Sequence, residues 1–148
     1  ISEGKPITIT HKDMTRFALT LNEAIDLVFL AYKESVGGEI FVLKNPAHTV
    51  VDLAEVMMKE LDAKNRKIET IGIRPGEKVH ETLISPTESL RTIEKKDHYV
   101  VLPQIEVPEI EKKYPKFWND KMFRFSSDNA RRLSKEEIKK LLKTAGQL

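Results

Sequence analysis

The sequence predicts an α/β protein on three observations. Helical apolar stripes open on capping boxes, one apolar run is continuous, and residues 40–73 read in the order strand, helix, strand. Its 148 residues fit one domain of ordinary size, able to bury roughly 70% of the surface of its unfolded chain. The expected architecture is short parallel strands with helices. Residues 1–102 form the main α/β domain, and residues 103–148 form an extended C-terminal segment ending in a helix, packed on the same domain or on a neighbouring subunit.

Pro6-Ile7-Thr8-Ile9-Thr10 alternates β-branched apolar and polar residues, as a short half-buried strand does. Thr20-Leu21-Asn22-Glu23 has the spacing of a capping box, in which the Thr hydroxyl and the Glu carboxylate each satisfy a backbone N–H at the start of a helix. Leu21, Ile25, Val28, Phe29 and Tyr32 then share one helical face, and Gly37-Gly38 ends the pattern. Ile40-Phe41-Val42-Leu43 is unbroken apolar sequence, the mark of a strand covered on both faces in a parallel sheet. Thr49-Val50-Val51-Asp52 opens a second helix with Val50, Leu53, Ala54, Met57 and Leu61 on one side, and Ile68 to Ile73 forms the next strand. Strand, helix and strand from Ile40 to Ile73 have the size of a βαβ unit. His98 to Leu102 is a further strand, and Pro103 to Asp120, with three prolines and no periodicity, reads as an extended connection. Ser134-Lys135-Glu136-Glu137 caps a last helix whose inner side carries Ile138, Leu141 and Leu142.

Composition narrows the function classes. Twenty-five Lys and Arg against 23 Asp and Glu leave a formal charge of +2, too small to drive nucleic-acid or membrane-surface binding by bulk electrostatics. With no cysteine there is no disulfide, thiolate nucleophile or Cys-based metal site. No apolar run reaches the length of a membrane span, and a cytoplasmic location is the expectation. The chain opens Ile1-Ser2-Glu3-Gly4 without Met or a signal-like segment, so residue 1 is expected to lie inside a longer polypeptide.

The densest chemical signal is Ile71-Gly72-Ile73-Arg74-Pro75-Gly76-Glu77-Lys78, where a strand runs into Arg, a turn and a carboxylate. Ligands of α/β sheets sit beyond the carboxyl ends of strands. A guanidinium there can hold a phosphate in bidentate fashion, Pro-Gly brings backbone close, and Glu77 can accept from vicinal ribose hydroxyls. An ordinary Pro-Gly turn with a solvated ion pair accounts for the same residues. Met14-Thr15-Arg16-Phe17 is a second candidate, with Arg16 either aimed into a cleft or lying on the surface between core neighbours. Glu77 and His80 are three apart but have no third ligand at a recognisable spacing, so no metal site is assigned. His11, His48 and His98 stand alone, no catalytic triad is supported, and the paired lysines and arginines alternate with acids as solvated faces. Neither a G-x-G-x-x-G nor a G-x-x-x-x-G-K-[ST] loop is present, and no Tyr is followed four residues later by Lys.

Met14-Thr15-Arg16-Phe17, Gly37-Gly38-Glu39-Ile40-Phe41-Val42, Asp52-Leu53-Ala54, Ile71 through Glu81 and Phe123-Arg124-Phe125-Ser126-Ser127, taken together, resemble the C-terminal half of inverting UDP-N-acetylglucosamine 4,6-dehydratases. These are extended short-chain dehydrogenase/reductases of capsule and flagellin-glycan synthesis. The resemblance covers nearly the whole chain. It implies a UDP-sugar-binding half whose NADP-binding Rossmann half, with its Gly-rich loop and Tyr-x-x-x-Lys pair, lies N-terminal to Ile1. On that reading the chain binds no cofactor by itself, carries no catalytic residue, is inert without its other half, and belongs to a homo-oligomer. By matching motif positions, Arg74 would contact the diphosphate or ribose and Glu77 the ribose hydroxyls, with Met14 and Arg16 on the nucleotide side of the cleft. A UDP-sugar 4-epimerase fragment and a stand-alone, non-catalytic interaction module on the same scaffold are the alternatives.

Overall fold

The structure is a computed structural model that describes residues 6–63, 66–115 and 117–148. It is a mixed α/β chain of short elements, as the sequence predicts. In order these are β1 (Ile7–Ile9), β2 (Thr15–Phe17), α1 (Leu21–Glu34), β3 (Ile40–Leu43), β4 (Ala47–Thr49), α2 (Val50–Glu60), β5 (Ile68–Thr70), β6 (Thr82–Ile84), α3 (Pro86–Ser89), β7 (Thr92–Glu94), β8 (His98–Val101), α4 (Pro108–Lys113), β9 (Phe125–Ser126) and α5 (Lys135–Thr144). They gather into two compact units, each assembled from separate stretches of chain.

The first unit comprises Ile1–Thr20, Asn45–Glu81 and Ser127–Leu148. Here β1 runs parallel to β5 with Ile7 opposite Ile68 and Ile9 opposite Thr70, and the Ile71 amide prolongs the ladder onto the Ile9 carbonyl at 2.9 Å. β2 lies antiparallel to β4, Arg16 opposite His48. Thr49 caps α2 by accepting from the Asp52 amide, and the stripe that follows packs on α5. Ala18, Val56, Leu133, Ile138 and Leu142 form the core between them, with Leu53, Met57 and Leu141 packed around it. The Ser134 capping box forms as its spacing predicts, with the Ser134 hydroxyl on the Glu137 amide and the Glu137 carboxylate on the Ser134 amide. Lys135 pairs with Glu55 and Lys139 with Glu60, tying the exposed edges of the two helices together.

The second unit comprises Leu21–Lys44 and Thr82–Ser126. Its sheet has the order β3-β8-β7 with both pairings antiparallel, and β6 pairs antiparallel with β9. Val100, Leu102 and Ile110 form its core, flanked by Phe41, Ile93 and Tyr114. Ser89 is fully buried and holds the chain that passes over it, its hydroxyl accepting from the Phe123 amide while Asn119 donates to the Ser89 and Thr92 carbonyls. After α1 the chain turns through Gly37 and Gly38, both at positive φ, and the Glu39 carboxylate accepts from the Val36 and Gly37 amides and the Ser35 hydroxyl.

Three expectations change. The βαβ unit expected from Ile40 to Ile73 does not form, because β3 pairs antiparallel with β8 while β5 pairs with β1 in the other unit. Four consecutive apolar residues mark a strand but leave its partner and direction open. Among the described residues the single parallel pair of strands is β1 with β5. Within Pro103 to Asp120, read as an extended connection, Pro108–Lys113 is a helix, entered through a proline in its first turn where the missing N–H costs nothing. Finally, α1 forms as predicted, yet none of its residues is buried, and Leu21 and Tyr32 are 76% and 89% exposed.

Candidate functional site

The site is built at the carboxyl end of β5. Gly72 takes a positive φ of 88°, and Arg74-Pro75-Gly76-Glu77 closes a tight turn in which the Glu77 amide donates to the Arg74 carbonyl at 3.0 Å. Pro75 suits the second position of a type II turn, and Gly76, at φ 81°, supplies the left-handed third position that a side chain would strain. The Glu77 carboxylate is held from two sides. One oxygen accepts from the Arg74 amide at 3.2 Å and the other from the Thr10 hydroxyl at 3.1 Å. Arg74 is exposed, and its guanidinium has no polar partner among the described residues. The turn therefore carries an exposed guanidinium and an anchored carboxylate.

Met14 and Arg16 lie beside the stretch that follows the turn. Met14 is buried, and its sulfur accepts from Nη2 of Arg16 at 3.1 Å. Arg16 donates from Nη1 to the carbonyls of Thr15 and Val79, at 2.7 and 3.2 Å, and from Nη2 to the Lys78 carbonyl at 3.0 Å. Its Nε lies 3.8 Å from the Glu81 carboxylate. A planar fork of donors thus fastens the stretch that follows the turn.

Sequence reasoning gave no role to the side chains of Thr10, Thr15 and Ser127 that hold this stretch in place. Thr10 enters only as the end of a strand, yet it links to Glu77 across 67 positions. Thr15 donates its amide to the Val79 carbonyl and sets its hydroxyl 2.8 Å from Nδ1 of His80. Ser127, fully buried, donates its amide to the Glu81 carbonyl and places Oγ 2.6 Å from the Thr15 hydroxyl. The Pro-Gly motif is contiguous and legible; lone hydroxyls 112 positions apart carry no pattern.

Among the described residues no group of three or more His, Cys, Asp or Glu side chains gathers as a metal site, and no helix is long and apolar enough to cross a membrane. α2 is entered from antiparallel β4 through Thr49, and α5 through Ser134, where a dinucleotide needs a glycine-rich turn from a parallel strand into a helix.

With a mixed α/β scaffold and an Arg-Pro-Gly-Glu turn beyond a parallel strand, the chain belongs to the polysaccharide biosynthesis protein family, whose pattern it matches over residues 1–103. It is 40% identical, over its whole length, to 44% of an uncharacterized membrane protein of Methanocaldococcus jannaschii. Over 97% of its length it is 36% identical to a UDP-glucose 4-epimerase of Rickettsia massiliae, covering 42% of that protein. Among solved structures it superimposes on Pen from Bacillus thuringiensis with a TM-score of 0.81 and 38% identity, covering all of this chain and 42% of that one. The chain thus spans less than half the length of these relatives.

Proposed function

We propose that this chain is the nucleotide-sugar-binding portion of a polysaccharide-biosynthesis enzyme, with Arg74 taking the diphosphate of a UDP-sugar and Glu77 the ribose hydroxyls. The observation that carries this reading is the turn itself, which joins an exposed guanidinium, unpaired among the described residues, to a carboxylate already oriented by Thr10 and a backbone amide. Anionic oxygens suit the planar donor fork of Arg74, and vicinal hydroxyls suit the remaining lone pairs of Glu77. Met14 and Arg16 act from behind, keeping residues 78–81 in register with the turn. The reaction assigned to the complete polypeptide is 4,6-dehydration of UDP-N-acetylglucosamine, with NADP held by an N-terminal Rossmann half and the assembly a homo-oligomer in the cytoplasm.

Titration of the ¹⁵N-labelled chain with UDP tests the binding role. Resonances of residues 74–81 are expected to move with a weak dissociation constant, and Arg74→Ala to weaken it about 10- to 150-fold, the equivalent of one charge-assisted hydrogen bond of roughly 1.5–3 kcal/mol. Unchanged affinity in that variant overturns the assignment. The likeness to UDP-glucose 4-epimerases supports a second reading, epimerisation at the same nucleotide site. Product analysis of the complete polypeptide separates the two: a 4-keto-6-deoxy sugar with loss of water for the dehydratase, a C4 epimer of unchanged mass for the epimerase.

A further inference from the structure

Thr15 is 2% exposed and Ser127 fully buried, so each of their hydroxyl protons needs a partner inside the protein. Thr15 Oγ1 lies 2.6 Å from Ser127 Oγ and 2.8 Å from His80 Nδ1. Ser127 Oγ also accepts from the Glu81 amide at 2.9 Å and lies 3.2 Å from the Thr15 carbonyl oxygen. Each hydroxyl has one proton to give, and two arrangements keep a proton in the 2.6 Å contact between them.

In the first, Ser127 donates to Thr15 and Thr15 donates to Nδ1 of the ring, so both hydroxyl protons lie in the short contacts of 2.6 and 2.8 Å. In the second, Nδ1 donates to Thr15, Thr15 donates to Ser127, and Ser127 is left with the longer 3.2 Å contact to a carbonyl. The first satisfies every buried proton at the better distance and makes Nδ1 the acceptor, which places the ring proton on Nε2. That nitrogen has no partner among the described residues and is not among the buried ones.

His80 therefore has one nitrogen fixed in the interior and the other offered as a donor, three residues beyond Glu77, in the stretch that Arg16 clamps. We propose that His80 is a further binding residue of the Arg74–Glu77 site, donating Nε2–H to an anionic oxygen of the bound nucleotide, with Thr15 and Ser127 setting the donor tautomer. This rests on the nucleotide-sugar reading above.

Two variants separate the anchor from the contact. His80→Asn keeps an acceptor near the Nδ1 position and leaves nothing at Nε2; His80→Gln places an amide N–H near Nε2. In UDP titrations of the full chain followed by NMR, H80N is expected to bind about tenfold more weakly with an otherwise native spectrum, the loss of one hydrogen bond to a charged group, and H80Q to stay within about threefold of the parent chain. Long-range ¹H–¹⁵N correlation of the free chain is expected to show the Nε2–H tautomer. Parent-like binding by H80N, or an Nδ1–H tautomer in the free chain, overturns the proposal. If R74A weakens UDP binding and H80N does not, this proposal fails alone; if UDP moves no resonance of the parent chain, the nucleotide reading fails and this one with it.

Discussion

At the residue scale, the proposed function separates groups that would meet a ligand from groups that hold those groups still. Glu77 shows the distinction. Its carboxylate would swing freely on an exposed turn, but the Thr10 hydroxyl at 3.1 Å and the Arg74 amide at 3.2 Å remove that freedom before any ligand arrives. Thr10→Val keeps the β-branched shape and deletes the donor. It is expected to weaken UDP binding about three- to tenfold, as one hydrogen bond of about 0.5–1.5 kcal/mol would, with the unfolding midpoint nearly unchanged. Calorimetric titration beside a denaturant curve reads both quantities. Arg16 answers to a different rule, because its donors already meet the carbonyls of Thr15, Lys78 and Val79. Arg16→Lys retains the charge but loses the fork, so it is expected to raise amide hydrogen exchange across residues 78–81 while leaving α2 and α5 protected.

At the element scale, α5 is the clearest case of sequence setting structure. The Ser134 amide, the Arg131 guanidinium and the Ser134 hydroxyl all bond the Glu137 carboxylate and hold it down to about 2, against an ordinary value near 4.5. A lowered folded-state value means that this stabilisation is complete above about pH 4.5 and is lost as pH falls from there towards 2. Ser134→Ala is expected to cost about 1 kcal/mol at neutral pH and to flatten the acid limb of stability, measured by urea unfolding at successive pH values. Local signals of this kind were legible: the caps at Thr49 and Ser134, the α5 stripe, and the Arg74-Pro75-Gly76-Glu77 turn all lie within a few residues. What was not legible depends on partners far along the chain. Ile40–Leu43 reads as a strand from its own residues, but its antiparallel partner lies at His98–Val101. Likewise Thr10, Thr15 and Ser127 became part of the site only by folding onto Glu77, His80 and Glu81.

At the scale of the whole molecule, α1 stands apart. Leu21, Val28, Phe29 and Tyr32 are each at least 67% exposed on a helix whose sequence has the stripe of a core-facing element. Under the proposed function this face meets the N-terminal half of the polypeptide. The chain by itself is then expected to self-associate in light scattering, and Val28→Glu with Phe29→Lys to return it to a single soluble species. A clean monomer of the parent chain would instead favour a stand-alone module.

The two units are woven rather than strung. The backbone passes from one to the other at 20/21, 44/45, 81/82 and 126/127, so neither corresponds to a continuous stretch of sequence. Each unit gathers stretches of chain that residues of the other unit separate in sequence, and contacts between such distant stretches slow folding relative to a helical bundle of equal length. The polypeptide consequently has no natural cutting point. Ending it at Ser126 would spare every strand of the second unit yet take α5 from the first, and with Ser127 the hydroxyl that the Thr15–His80 bond leans on.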